Sequence, residues 1–323
     1  MWTYFLRRTL IAIPTLIAIS FVIFALLSLA PGDPMAQFAT NPEVPPEVRE
    51  NMRRSLGLDQ PWPVRYWKWL VLLPQGDWGW SFAARKPVLD FIGERMPQTL
   101  AVVGVSYFLS VLIAIPIGVY TAARPRTWLS YLVSVLSMAG ISLPTFLSGT
   151  VFLLIFSVML RDTPFGLPMI YDTQLKVKDW GSFVLQIRQS AMPIMVLALF
   201  TAGSMTRFVR SSMLENLPMD YVRTARAKGL GERVVIMKHA LRNSLIPVVT
   251  LVAIGIPTIF AGAIITEQIF RVNGIGELLI TSINRSDTPV VMGIVFIFAI
   301  MVVFSSLIAD IVYGLLDPRI KFS

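Results

Sequence analysis

The sequence predicts an all-α integral membrane protein with six transmembrane helices. Of its 323 residues, 55% are hydrophobic and only 15% are charged, and the mean hydropathy is +0.67, whereas soluble proteins are near a quarter charged. The charges are also segregated. Six windows contain no Asp, Glu, Lys or Arg: 9–31, 96–123, 127–160, 189–206, 243–266 and 288–309. Since about 20 apolar residues cross a hydrocarbon layer of roughly 30 Å, each window predicts one span.

The first window, within residues 1–31, predicts a membrane helix that is retained in the mature protein. It follows the basic pair Arg7 and Arg8, as the apolar part of a signal peptide would. Its apolar run is too long for that, however, and the sequence that follows from Ala30 to Pro34 is typical of a turn and not of a cleavage site. We therefore expect an anchor.

Residues 32–95 predict an extracytoplasmic insert. The segment is rich in turn formers, and it contains five of the eight tryptophans: Trp62, Trp67, Trp69, Trp78 and Trp80. One interpretation is a small lid whose aromatic side chains pack together at the level of the lipid headgroups. The other is a docking surface for a protein that delivers the cargo.

Residues 96–323 predict a five-helix core, in which the marginal window 189–206 could be lengthened by snorkelling of Arg207 and Arg210. Residues 161–188 and 267–287 are predicted as short extracytoplasmic loops. The second span carries a small residue at every fourth position, which predicts close packing against another helix: Ser106, Ser110, Ala114, Gly118 and Ala122. Prolines interrupt most spans, as kinks or hinges: Pro14, Pro116, Pro144, Pro193 and Pro257.

The distribution of basic residues predicts that both termini are cytosolic. Eight of the 28 Lys and Arg residues fall between Arg207 and Arg242, and short cytosolic loops carry such an excess. The net charge of +9 is explained by this topology and not by nucleic-acid binding. With no cysteine and His239 as its one histidine, the chain offers no disulfide and no thiolate metal site.

The cytosolic loop 207–243 carries the pattern that predicts function. We expect Asp220 to be the N-cap of a short helix, Tyr221 to Lys228 to form that helix, and Gly229 to end it in a left-handed conformation. A second amphipathic stretch runs from about Glu232 to Asn243. The predicted result is a stiff helical rod that lies across the membrane surface.

This loop resembles the EAA loop of ATP-binding-cassette importer permeases. The sequences YVRTARAKGL at 221–230 and HALRNSLIPV at 239–248 are similar to those of the peptide branch of that family. Where the general pattern has Glu-Ala-Ala, this chain has Arg223, Thr224 and Ala225. Where the pattern later has Leu-Pro, this chain has Leu241 and Arg242, with proline delayed to Pro247. These departures are typical of the peptide branch.

The resemblance extends over nearly the whole chain. The sequences FLRR at 5–8, LAPGDP at 29–34, LGLDQPWPVRYW at 56–67 and GDWGWSF at 76–82 resemble the first of that branch's two permease subunits. So does EQIFRVNGIGELL at 267–279, followed by Arg285, Asp287 and Pro289. The resemblance implies a type I importer permease fold in a prokaryotic inner membrane.

The resemblance also implies roles and partners. The coupling helix, which would sit in a groove of a cytosolic ATPase subunit, is formed by Asp220, Tyr221, Arg223, Thr224, Ala225, Arg226, Ala227, Lys228 and Gly229. A homologous second permease, two cytosolic ATPase subunits and an extracytoplasmic substrate-binding protein would complete the importer. This chain would need no cofactor, because ATP and Mg²⁺ are bound by the ATPases.

Several alternatives stay open at this stage. The cargo could be a dipeptide, an oligopeptide, glutathione or a nickel complex, and the sequence names no cargo-contacting residue. An ion-coupled carrier would place ionisable residues at membrane depth, and the six windows contain no acid and no base. An enzyme is disfavoured by the absence of a phosphate-binding Gly-x-x-x-x-Gly-Lys-Ser/Thr motif and of any carboxylate pair in the windows. Finally, the basic loop could be a topology signal that touches only lipid.

Overall fold

The computed structural model describes residues 2–29, 47, 50, 53–54, 57–261 and 263–316. The turn sequence predicted between Ala30 and Pro34, and the basic residues Arg319 and Lys321, lie outside these residues. Within the described residues the fold is helical, with a single isolated β-bridge between Trp80 and Pro87 and no strand. The predicted all-α class is confirmed.

Eleven helices in the described residues are used below. Their bounds are α1 Trp2–Leu29, α2 Trp62–Leu72, α3 Val88–Ala123, α4 Trp128–Ser142, α5 Thr145–Met159, α6 Trp180–Asn216, α7 Asp220–Ala227, α8 Glu232–Phe260, α9 Ile264–Phe270, α10 Ile275–Asn284 and α11 Thr288–Leu316. The end of the bundle that carries α7 is called the basic end. The opposite end, which carries α2, α9 and α10, is called the insert end.

Five helices in the described part are long and apolar enough to cross a membrane, and α4 with α5 makes a sixth span if the bent pair is counted as one. The third predicted window, 127–160, is therefore not a straight helix. Its two halves meet at 106°. Leu143 is extended, with φ −82° and ψ 127°, because the ring of Pro144 disfavours the helical conformation of the preceding residue.

Helix α6 is longer than predicted. The predicted loop 161–188 ends early, since Asp179 and Ser182 form a capping box in which Ser182 N donates to Asp179 Oδ1 at 2.7 Å. The 37-residue helix is therefore about 55 Å long and extends well beyond a membrane. Charged residues near both ends of α6 made its first and last turns resemble loops in the sequence.

The predicted small-residue seam is confirmed. All five of its residues are buried on α3, which packs against α6. A Cβ on Gly118 would lie 2.6 Å from Cβ of Val209 and 3.1 Å from the carbonyl oxygen of Thr206. The small residues let the two backbones approach to a distance that a larger side chain would forbid.

The predicted loop 267–287 is mostly helical, containing α10 and most of α9. Both helices are too short to be recognised from periodicity. They pack into the insert end, where Ile275 and Leu278 of α10 join a buried cluster with Val88 and Ile92 of α3.

Candidate coupling surface and membrane cavity

Helix α7 joins two helices that rise from the membrane. It lies between the last turn of α6, which ends at Asn216, and the start of α8 at Glu232. The predicted N-cap was wrong by one residue. Met219 is the N-cap, without a side-chain hydrogen bond, and Asp220 is the first helical residue. Its carboxylate still lies at the positive end of the helix dipole.

Gly229 ends α7 in the predicted way. It adopts φ +74°, and the helix closes with hydrogen bonds from Gly229 N to the Arg226 carbonyl (2.9 Å) and from Leu230 N to the Ala225 carbonyl (3.4 Å). This pair of bonds is a Schellman motif, which requires a left-handed residue that glycine adopts without strain. No heavy atom lies within 4 Å of a Cβ built on Gly229, so this turn faces open space.

The inner face of α7 is locked into the bundle. Val222 is fully buried and Ala225 is 4% exposed. Both belong to a cluster formed with the ends of α3, α6 and α8, whose buried members are Val119, Ala122, Val209, Met213, Val235, Ala240, Leu241 and Val248. Because such cores are close-packed, α7 cannot move without the helices that hold it.

The other predicted coupling residues lie on the outer face of α7 and in the two positions that follow it. Of the nine, only Ala225 is buried, while Asp220, Tyr221, Arg223, Thr224, Arg226, Ala227, Lys228 and Gly229 are exposed. The Tyr221 hydroxyl donates to Asn216 Oδ1 at 2.7 Å, and Thr224 Oγ1 donates to the Asp220 carbonyl at 2.8 Å. The outer face is therefore held in place but open to a partner.

A bidentate ion pair fixes the turn after α7. Arg226 donates from Nε and Nη2 to the two carboxylate oxygens of Glu232, at 3.1 and 2.7 Å. The hydrogen bonds from Arg226 lower the pKa of the Glu232 carboxyl below its usual value, and the same bonds raise the pKa of Arg226. The pair ties the helix to the start of α8.

Several exposed apolar side chains flank α7. Met219, Leu230, Val234 and Met237 are 40% to 53% exposed, next to exposed basic residues such as Arg233 and Lys238. Exposed apolar side chains of this kind, set among basic ones, are compatible with a protein-binding surface.

The two helices that carry α7 are joined deep inside the bundle. The Ser212 hydroxyl donates to the Ser244 carbonyl at 2.8 Å, and the Ser244 hydroxyl is 3.3 Å from the Ser212 carbonyl. Both side chains are buried. The reciprocal bonds fix α6 to α8 just inside the coupling surface, so the three helices form one rigid element.

A cavity of about 610 Å³ opens between α3, α5, α6, α8 and α9. Its polar side chains are the hydroxyls of Ser106, Tyr107, Thr145, Thr201, Thr258 and Thr266, among apolar neighbours. Three hydroxyls donate within the chain, from Ser106 to the Val103 carbonyl (2.8 Å), Tyr107 to Val252 (2.7 Å) and Thr258 to Gly255 (2.6 Å). These three hydroxyls therefore present their oxygen lone pairs, and not their protons, to the cavity.

Family comparison agrees with this geometry. The family described as "Binding-protein-dependent transport system inner membrane component" matches residues 114–322, and a companion family for the N-terminal part of such membrane components matches residues 1–103. The chain belongs to this family of importer permeases.

The permease resembles relatives of the peptide branch over its full length. It is 39% identical to the oligopeptide transport system permease protein AppB of Bacillus subtilis over 323 residues, covering all of both chains. It is also 39% identical to a putative peptide permease protein of Brucella suis, over 99% of both chains. A glutathione transport system permease protein, GsiC of Salmonella typhimurium, is 35% identical over the whole of both chains. The permease is a multi-pass membrane protein and a non-catalytic transport component.

At the insert end, the permease contains a buried carboxylate that sequence reasoning placed in a loop. Glu267 is fully buried and accepts from Glu277 N at 2.8 Å and from Thr99 Oγ1 at 3.2 Å, while Thr99 Oγ1 accepts from Ile275 N at 2.7 Å. Burial raises the pKa of Glu267 above its usual value, although the hydrogen bonds act in the opposite direction. Glu267 thus joins α9, α3 and the N-terminus of α10.

A second buried carboxylate fastens the insert to the last span. Asp287, fully buried, accepts from Ser81 Oγ at 2.5 Å, from Phe82 N at 3.1 Å and from Ala83 N at 3.1 Å. Both Glu267 and Asp287 stand directly beside a charge-free window in the sequence. That position is not a signal of burial, because every charge-free window is bounded by charged residues, and others among them, such as Arg161 and Arg207, are exposed.

Among the residues that the structure describes, no group of three or more His, Cys, Asp or Glu side chains could hold a metal ion.

Proposed function

We propose that this permease forms half of the path of an ATP-driven peptide importer and that α7 is its coupling helix. Its partners would be a homologous second permease, two cytosolic ATPase subunits that bind ATP and Mg²⁺, and an extracytoplasmic substrate-binding protein. The basic end would face the cytosol, with both termini on that side. The observation that carries the proposal is the division of α7 into a buried inner face and an exposed outer face.

The packing of α7 supports the transmission of motion. ATP-driven closure of two ATPases would displace the outer face of α7. Since Val222 and Ala225 are packed in the bundle and Ser212 and Ser244 join α6 to α8, the displacement would reach the membrane segments as rigid-body movement. Both α6 and α8 line the cavity, so such movement would change its shape.

The cavity supports a peptide as cargo. A hydroxyl whose proton is bonded within the chain presents an acceptor, and peptides carry a backbone N–H at nearly every residue. The apolar remainder of the lining accommodates varied side chains. The cavity lining would therefore accept peptides of varied sequence, as the path of an oligopeptide importer requires. Glutathione, which contains the same amide donors, is the second candidate, and one of the relatives transports it by name.

Two substitutions, one on the outer face of α7 and one in the turn that ends it, test the coupling role. Asp220→Lys and Gly229→Trp should leave membrane insertion intact but weaken association of the ATPases or uncouple ATP hydrolysis from peptide uptake. The matched control for the glycine is Gly57→Trp, because Gly57 also has positive φ (+67°) and open space around a Cβ but lies in the insert. The readouts are co-purification of the ATPases and peptide uptake per ATP hydrolysed in proteoliposomes.

Normal coupling in both α7 variants would overturn the assignment of the coupling helix. Uptake that persists when the ATPases are inactivated would instead indicate an ion-coupled carrier. Competition of a labelled oligopeptide by unlabelled dipeptide, glutathione or a nickel complex would identify the cargo, and uptake of a nickel complex alone would contradict the peptide proposal.

A further inference from the structure

A second cavity, of about 490 Å³, lies at the insert end between α1, α2, the turn at 77–82 and the start of α11. Its wall includes the basic side chains of Arg54, Arg65 and Lys68 and a single acidic residue, Asp77. Asp77 is engaged with the backbone, since its Oδ1 accepts from Gly79 N at 3.0 Å. Arg54 pairs with Glu50 at 3.1 Å. With Arg54 paired, the wall keeps two cations from α2, Arg65 and Lys68, against the one carboxylate of Asp77, so its net charge is positive.

The two basic residues of α2 have no carboxylate partner among the residues that the structure describes. The Arg65 guanidinium lies over the ring of Phe24, at 5.8 Å from the centroid, and burial lowers the pKa of this guanidinium. A partly desolvated cation without a counter-ion is an unfavourable arrangement that a bound anion would relieve.

Two buried polar atoms in the same wall also lack partners. Within the described part of the chain, Trp69 Nε1 and Gln60 Oε1 make no hydrogen bond, and both residues line the cavity. Buried donors and acceptors are nearly always paired, and each exception calls for an explanation. An anion that also carries hydroxyl groups would supply an acceptor for the indole N–H and a donor for the amide oxygen.

Helix α2 lies alongside a membrane span. The Tyr66 hydroxyl donates to the carbonyl of Ile17 at 3.1 Å and lies 3.0 Å from Ser20 Oγ, and both partners are near the middle of the apolar segment Leu10–Leu29. The tyrosine also packs against Phe24 at 5.5 Å. Helix α2 therefore reaches into the level of the lipid and does not stand clear of the membrane.

Helix α2 has three faces that follow one another around its axis, since consecutive residues are rotated by about 100°. Tyr66 and Trp69 face the bundle, Arg65 and Lys68 come next and line the cavity, and an exposed apolar stripe follows. That stripe is formed by Val64, Trp67 and Val71, which are 45%, 64% and 49% exposed. A cationic face next to an exposed apolar stripe fits an amphiphile with an anionic head.

We propose that this cavity binds an anionic phospholipid of the phosphatidylglycerol type. Its phosphate would be held by Arg65 and Lys68, its headgroup hydroxyls and oxygens would pair with Gln60 and Trp69, and its acyl chains would lie along the Val64–Trp67–Val71 stripe. The site would hold the insert against the membrane through a lipid. It is independent of the cargo and of the coupling helix.

The test is lipid retention by the full-length permease in its assembled importer, measured by native mass spectrometry from mixed detergent–lipid micelles. Wild type should retain phosphatidylglycerol over phosphatidylcholine. The double variant Arg65→Gln/Lys68→Gln should lower retention of phosphatidylglycerol by about tenfold or more, as expected for the loss of two charge-assisted contacts. Lys176→Gln/Lys178→Gln is the matched control, since it removes the same charge from an exposed loop.

A second variant keeps the test valid if the double variant folds poorly. Trp69→Phe retains the aromatic contact with Phe296, at 5.4 Å, but removes the indole donor, and it should lower retention of phosphatidylglycerol a few-fold. The proposal is overturned if wild type retains both lipids equally, or if both Trp69→Phe and the double variant retain phosphatidylglycerol as wild type does. Displacement of the lipid by millimolar inorganic phosphate would show a site for soluble anions and would likewise overturn it.

Discussion

The two ends of the helix bundle place their charges in opposite ways. At the basic end, eight of the nine predicted coupling residues are exposed, and the ion pair of Arg226 with Glu232 lies at the surface. At the insert end, Glu267 and Asp287 are fully buried and accept hydrogen bonds from backbone amides and hydroxyls of their own chain. One end presents its polar groups at the surface, where the proposed coupling helix would meet another protein, whereas the other end uses them to hold the chain together.

This difference indicates which substitutions should affect folding and which should affect partners. A buried carboxylate that loses a hydrogen bond leaves unpaired donors inside the protein, which costs more than the loss of a surface interaction. Changes at the insert end should therefore lower stability, and changes on the outer face of α7 should alter assembly at nearly constant stability.

The largest effect is expected for Asp287→Asn. The amide NH₂ would face at least one of the donors Ser81 Oγ, Phe82 N and Ala83 N, so we expect a loss of about 3 kcal/mol of stability. The measurement is the thermal unfolding midpoint of the purified permease. Asp162→Asn, at an exposed loop position, is the control, and equal midpoints for the two variants would contradict the role given to Asp287.

Val222→Ala should have the next largest effect. It removes two methyl groups from a fully buried position on the inner face of α7, which should cost about 2 kcal/mol. Arg223→Ala, one residue along on the outer face, should change stability by less than about 0.5 kcal/mol while weakening ATPase association. Both variants are measured by thermal unfolding and by co-purification of the ATPases. If the two variants give the same result in both measurements, the distinction between the inner and outer faces of α7 is contradicted.

The pH dependence of stability that arises from Glu267 should be a smaller effect than that of Val222→Ala. Burial raises its pKa above the usual 4.5, so the folded state retains a proton that the unfolded state releases. Stability should therefore be unaffected below about pH 4.5 and fall as the pH rises from there through the folded pKa. Glu267→Gln should remove this decline, seen in unfolding midpoints from pH 4 to pH 8. Parallel curves of unfolding midpoint against pH for wild type and Glu267→Gln would exclude Glu267 as the source of the decline. Glu215→Gln, at an exposed position, is the control.

The smallest effect is expected for Glu232→Gln. The carboxylate and Arg226 are 57% and 41% exposed, and exposed pairs contribute roughly 0.2–1 kcal/mol. Because the pKa of Glu232 is lowered, this contribution is present above the usual carboxyl pKa and is lost as the pH falls through the lowered value. At neutral pH, high salt should reduce the difference between wild type and variant. A difference that survives high salt would show that the pair is better shielded than its exposure indicates.

Particular residues show how far the sequence could be read. Gly229 was identified as the end of α7 because a glycine after a run of helix formers has few other roles, and the stripe from Ser106 to Ala122 predicted its seam because its spacing is a helical repeat. Asp220 was misplaced by one position, since Met219 caps the helix without any side-chain signal. A kink at Pro144 was predicted from the proline itself, but the size of the bend, 106°, was not.

The sequence by itself determined the helical class, the number of apolar windows, the basic segment and the resemblance to importer permeases. These follow from local composition and spacing, which act on each segment separately. Only the tertiary structure decided which side of α7 is buried, that Glu267 meets Thr99 and α10, and that Arg65 and Lys68 line one cavity. Those contacts join residues far apart in the chain, and they depend on how the helices pack, which no local pattern encodes.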